Sequence, residues 1–102
     1  MSDYELTTFA ENDLISIARY TVDTWGLKQA KRYEASLVKG FRQIAKGSVL
    51  PRVFLSRRPD LLFTRCEHHY IFYKPRKSAP PLILAVFHER MNLMQRLKER
   101  LS

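Results

Sequence analysis

The sequence predicts an α+β fold in which a hairpin of two helices packs on a small, mostly antiparallel sheet, with the element order βααβββα. Two observations carry this. The first half of the chain holds two apolar stripes at helical spacing, and the second half holds strand-like runs separated by turn signals. A third fixes the heart of the sheet: Leu82-Ile83-Leu84-Ala85-Val86-Phe87 is apolar at every position, as expected of a strand covered on both faces.

Tyr4-Glu5-Leu6-Thr7 reads as a short strand. Thr7 or Thr8 can then cap a helix beginning near Phe9, with Glu11 in its first turn where a negative charge favours the helix dipole. Ala10, Leu14, Ile17, Ala18, Thr21, Val22 and Trp25 follow one helical face, and Gly26 supplies the stop. Ala30, Tyr33, Leu37, Phe41 and Ile44 form the second stripe, flanked by Lys28, Lys31, Arg32, Lys39, Arg42 and Lys46, and this helix is expected to end near Gly47. The link around Gly26 is so short that the two helices must reverse on each other as an antiparallel hairpin.

The stretch from Gly47 to Asp60 is long for a connection, yet Val49, Leu50, Val53, Phe54 and Leu55 predict that it lies against the body. Leu61 to Cys66, His69 to Lys74 and Leu82 to His88 then read as three strands of an antiparallel meander. Asn92 to Leu101 resumes helical spacing through Leu93, Leu97 and Leu101.

With 102 residues and 45% hydrophobic content, the expectation is a single domain spanning 1–102. No apolar run is long enough to span a bilayer, and the acidic start is unlike a secretory signal, so a cytoplasmic protein without a membrane partner is expected. Cys66 is the only cysteine, which excludes an intramolecular disulfide. Eighteen Lys and Arg against ten Asp and Glu give +8, which points to an acidic partner such as nucleic acid, an acidic protein or a ribosome.

Cys66, His68, His69 and His88 have the residue types of a metal site but no two-Cys or helical two-His signature, so no metal and no cofactor is expected. General acid-base chemistry needs a group that titrates near working pH, and His88 and Glu89 stand together where a strand ends. Arg65 and Arg90 can supply the cations that phosphodiester cleavage requires, so a ribonuclease would use Arg65, His88, Glu89 and Arg90. The plainer use of the same residues is structural, with Glu89 capping the last helix and Arg90 pairing on its surface. The basic side of the second helix can follow a phosphate backbone, although solvated Lys and Arg are ordinary there. Tyr70, Phe72 and Tyr73 can stack bases but in a meander should pack inward. An open sheet edge offers a third use, the capture of a protein segment.

Several stretches together resemble a family. They are Tyr4-x-Leu6-Thr7-x-x-Ala10-x-x-Asp13-Leu14-x-x-Ile17, Tyr20-Thr21-x-x-x-Trp25-Gly26-x-x-Gln29-Ala30, His69-x-Ile71-Phe72-Tyr73 and Phe87-His88-Glu89-Arg90-Met91-x-Leu93. The chain resembles the ParE toxins of the RelE/ParE superfamily over nearly its whole length, apart from the variable stretch between Gly47 and Arg58. The resemblance implies the RelE/ParE-like fold and a type II toxin-antitoxin role. It also implies a cognate antitoxin, ParD-like, with a DNA-binding N-terminal part and an acidic flexible tail. ParE-like members inhibit DNA gyrase and block replication, so the expected target is gyrase, through its A subunit, with DNA met only indirectly.

RelE-like relatives cut messenger RNA on the ribosome instead, and that is the alternative. No tyrosine follows His88 here, and the chain turns into a helix, which favours the gyrase branch without catalytic residues. On that branch Arg65, His88, Glu89, Arg90 and Met91 are expected to form the toxic face. Leu14, Ala18, Val22, Tyr33 and Leu37 are expected to receive the antitoxin insofar as the core leaves them free.

Overall fold

The computed structural model describes residues 3–101. Strand β1 (Glu5–Leu6) leads into α1 (Thr8–Trp25) and α2 (Leu27–Ala45). There follow β2 (Arg52–Val53), β3 (Leu62–Cys66), β4 (His69–Lys74), β5 (Leu82–His88) and α3 (Leu93–Leu101). The strands form one sheet in the order β1-β5-β4-β3-β2, antiparallel throughout except that β1 runs parallel to β5.

The observed order carries one strand more than the sequence predicts. Arg52 and Val53 pair with Phe63 and Leu62, and both are exposed. A two-residue strand has no alternation to read, and only its partner on β3 makes it one.

Helix α1 begins where the Thr7 side chain accepts from the Ala10 N–H at 3.0 Å. Gly26, at φ 91, is at once the end of α1 and the start of α2, a conformation that a residue with a side chain rarely adopts. The predicted face of α1 is too wide. Ala10 and Thr21 are buried and Leu14 and Ile17 pack on the core, whereas Val22 is 39% and Trp25 69% exposed. In α2 the predicted stripe turns inward, with Ala30, Leu37, Phe41 and Ile44 buried and Tyr33 packed beside them.

Both faces of the sheet are covered. The hairpin of α1 and α2 lies over Ile71, Tyr73, Ile83 and Val86, while α3 and the stretch containing Phe54 and Leu55 lie over Phe63, Phe72, Ala85 and Phe87. The register slips by one residue between Phe72↔Ala85 and Tyr73↔Ile83, so Leu84 is the extra residue on β5. Leu84 and Ala85 therefore both serve the α3 side, which is why the β5 run has no polar position. Within the Gly47–Asp60 stretch Val49 joins the hairpin-side core, but Leu50 is 79% and Val53 48% exposed.

Beyond β1, the outer edge of β5 is closed by side chains. Asp13 accepts from the Val86 N–H at 3.0 Å, and Arg100 donates to the Leu84 carbonyl at 3.0 Å and to both Asp13 oxygens at 3.1 and 3.2 Å. The Arg100 guanidinium also lies 5.0 Å from the Phe9 and Phe87 ring centres. This stretch of edge is thus unavailable to an added strand, whereas among the described residues β3 beyond Phe63 has no strand paired on its outer side. None of the described helices is long and apolar enough to cross a membrane.

Candidate functional site

The site forms where the β3–β4 turn meets the end of β5. Glu67 and His68 make the turn, with Glu67 at φ 56, and Cys66 and His69 close it. His69 is also opposite His88, so the residue after β5 arrives beside the turn, and the Glu89 N–H donates to the His68 carbonyl at 2.9 Å. This backbone bond places the Glu89 carboxylate between two cationic or potentially cationic groups. Arg65 donates to one oxygen, and His68 Nδ1 lies 3.0 Å from the other. Arg65 is itself steadied by a 3.1 Å bond from its Nε to the Glu67 carbonyl.

The His68 hydrogen bond, reinforced by the charge of Arg65, holds the Glu89 carboxyl below the usual carboxylate range. Glu89 is therefore an ionised strut at neutral pH. Around it Arg90 and Met91 are exposed, and Met91 offers an adaptable thioether surface.

His88 belongs to a different cluster. Alternation along β5 puts it on the side of Val86, under the hairpin, whereas Arg65 alternates on β3 to the side of Phe63. The His88 ring meets the His69 ring edge to face at 5.1 Å, and its Nδ1 accepts from the Arg90 N–H at 3.1 Å. His69 is 7% exposed, and burial drops its pKa to about 4, so it is neutral. The Tyr33 hydroxyl, 2.5 Å from His69 Nδ1, also accepts from the His68 N–H at 3.1 Å. Burial pushes the Tyr33 phenol up, and it is consistently the protonated donor to a neutral imidazole.

Of the five residues expected on a toxic face, the structure brings Arg65 and Glu89 into direct contact and leaves Arg90 and Met91 exposed next to them. His88 is set on the opposite side of the sheet. The same split separates the expected ribonuclease set, Arg65, His88, Glu89 and Arg90. Glu89 does not cap the last helix: the Asn92 side chain does, accepting from the Gln95 N–H at 3.1 Å. Nor does Arg90 form a side-chain ion pair with any described residue. His68 is the partner that the sequence did not reveal, because its role depends on a backbone bond across 21 residues of chain. Among the described residues no group of three or more His, Cys, Asp or Glu is placed to hold a metal ion. The Cys66 thiol instead faces the Ser36 carbonyl at 3.4 Å, and burial raises its pKa.

Among the residues expected to receive an antitoxin, Leu37 is 1% exposed and is a core residue with no surface to offer. Tyr33 is half-buried and committed to His68 and His69. Leu14 and Ala18 are half-buried, and Val22 is exposed. Ile15 and Trp25, 51% and 69% exposed, extend the same apolar side at spacings of three and four residues: Ile15, Ala18, Val22, Trp25. The helical period could have singled out Ile15.

Residues 4–93 match the family model for the ParE toxin of the type II toxin-antitoxin system, parDE. The chain is 46% identical to the protein named Toxin ParE of Escherichia coli, over 100% of its own length and 99% of that relative's. The chromosomal ParDE TA system from P. aeruginosa includes a chain of similar fold, with a TM-score of 0.70 at 16% identity. That likeness covers 83% of this chain and 92% of the other, and at such identity it speaks to the fold alone.

Proposed function

For a chain that belongs to the ParE toxin family of type II toxin-antitoxin systems, we propose that growth is stopped by binding DNA gyrase in the cytoplasm, without any bond being made or broken by the toxin. One observation carries this. The Glu89 carboxylate is engaged on both oxygens by Arg65 and His68, while His88 stands on the opposite side of the sheet with its Nδ1 occupied. The acid and the base that cleavage would need are thus each engaged by other partners, which argues against general acid-base catalysis, where both groups must serve one substrate position. A rigid, cation-edged rim with an exposed methionine is suited to protein contact.

The family membership brings with it a cognate antitoxin. We place its docking on the exposed apolar side of α1, through Leu14, Ala18 and Val22, extended by Ile15 and Trp25. The antitoxin is taken to be ParD-like, with an acidic flexible tail whose charge complements the +8 of this chain. The gyrase subunit contacted is taken to be A.

The test is induction in bacteria alongside incubation of the purified chain with gyrase and plasmid. Stabilised double-strand cleavage that requires gyrase is expected, together with filamentation. His88→Ala, on the other side of the sheet from that rim, is expected to weaken the effect by no more than the loss of one rim contact would, less than tenfold. Site-specific messenger cleavage that falls about a hundredfold or more in a folded His88→Ala variant would replace this reading with the RelE-like ribonuclease.

A further inference from the structure

The outer face of α2 is unlike the rest of the surface. Residues 27–46 hold six cations and one carboxylate, Glu34, so they carry +5 of the chain's +8. Of the twelve cations elsewhere, six, Arg58, Arg65, Lys74, Arg76, Arg96 and Arg100, are ion-paired. The α2 cations are all exposed, and none forms an ion pair with a described residue.

Five of these cations, Lys28, Lys31, Lys39, Arg42 and Lys46, fall within about 80° of arc at 3.6 residues per turn and run along about 27 Å of helix. They look away from the stripe of Leu37, Phe41 and Ile44 that is buried in the core. A groove follows the same face, lined by four of them together with the Glu34 carboxylate, the Gln43 amide and the Ser48 hydroxyl, so its charged lining is +3. Like charges at helical spacing repel one another, so this row is unfavourable until an anion lies along it.

We propose that this groove binds the phosphate backbone of duplex DNA directly, without reading bases. The lining separates this ligand from the alternatives. A peptide docking in a groove needs apolar anchors, and among the described residues Ala35 and Val38 are the only apolar ones lining this groove. The large exposed apolar side chains of the hairpin lie instead on α1 and at the hairpin tip. Among the described residues no aromatic lines the groove, so they offer none of the stacking platforms on which single strands are held. A straight row of cations with amide and hydroxyl donors matches a continuous line of phosphates, which recur about every 3.4 Å along each strand axis. The proposal does not depend on gyrase, because the DNA contact is made by this chain alone.

The experiment is fluorescence anisotropy of the purified full chain with a labelled duplex at 50 to 200 mM salt, in the absence of gyrase. The four groove-lining cations with Lys28, which continues the row beyond the groove, make five phosphate contacts and predict a log-log salt slope near −4.5, or about a 500-fold loss of affinity over that range. The triple variant Lys39→Gln, Arg42→Gln, Lys46→Gln should bring the slope to about −1.8. The charge-matched control Lys74→Gln, Arg96→Gln, Lys98→Gln should bind with a slope close to that of the parent chain. Equal losses in the two triple variants would mean that net charge alone attracts the DNA, and would overturn the site. Tighter binding to polyglutamate or to a single strand of equal charge would overturn the choice of ligand.

Discussion

Replacing Arg100 with alanine removes the cation that joins α3, β5 and α1. In the native chain its guanidinium donates to both Asp13 oxygens and to the Leu84 carbonyl, and it stacks between Phe9 and Phe87. The Asp13 and Arg100 side chains are only 16% and 18% exposed, so solvent cannot readily replace the lost bonds. A charge-assisted hydrogen bond contributes about 1.5–3 kcal/mol, and breaking a buried pair by removing one partner costs about 3–5 kcal/mol. Because this pair keeps some water contact, and Asp13 retains the Val86 N–H, a loss of about 3 kcal/mol is expected for Arg100→Ala. In a domain of this size that lowers the melting temperature by about 15 °C. Urea unfolding of Arg100→Ala, Asp13→Ala and the double variant gives the coupling energy directly, expected at about 2 kcal/mol. A coupling below about 0.5 kcal/mol would refute the reasoning, since the two side chains would then contribute independently.

Two further outcomes follow from the interior. His69 titrates at about 4 in the folded chain, against 6.5 in the unfolded, so the unfolded state binds the extra proton between those values. Stability is thus fully present above pH 6.5 and falls by about 2–3 kcal/mol as the pH drops towards 4. Glu89, whose folded pKa is depressed below 4.5, adds its own loss only at lower pH, so the fall between 6.5 and 4.5 belongs to His69. Urea midpoints measured against pH should flatten over that interval in His69→Gln. Gly40→Ala places a Cβ 3.1 Å from both Cys66 Sγ and Ile71 Cδ1, and Ile71 is fully buried. The crowding outweighs the gain in helix propensity of about 1 kcal/mol, so a net loss of about 1 kcal/mol is expected. Adding Cys66→Ala should recover part of that loss, and a Gly40→Ala chain more stable than the parent would show that the neighbours yield freely.

Much of the fold was legible because burial imposes its period on the sequence. The α2 stripe, the β5 run and the Thr7 cap all appear where local spacing and capping chemistry put them. The features that were missed depend on partners distant in sequence. β2 exists only against Leu62 and Phe63, and the part of the α1 stripe containing Val22 and Trp25 stays exposed. At the site, the sequence points to Arg65 and Glu89 and the structure joins them, but nothing local to His68 marks it as their partner.

By itself, then, the sequence determined the two-helix hairpin, four of the five strands, the last helix and the family, since each rests on local periodicity or on an ordered run of motifs. Tertiary structure alone decided which of the polar residues near the end of β5 act together. Strand alternation sends His88 and Arg65 to opposite sides of the sheet, and the single backbone bond from Glu89 to His68 closes the network at the turn. A side chain's face is fixed by register, and register is set by the neighbouring strand.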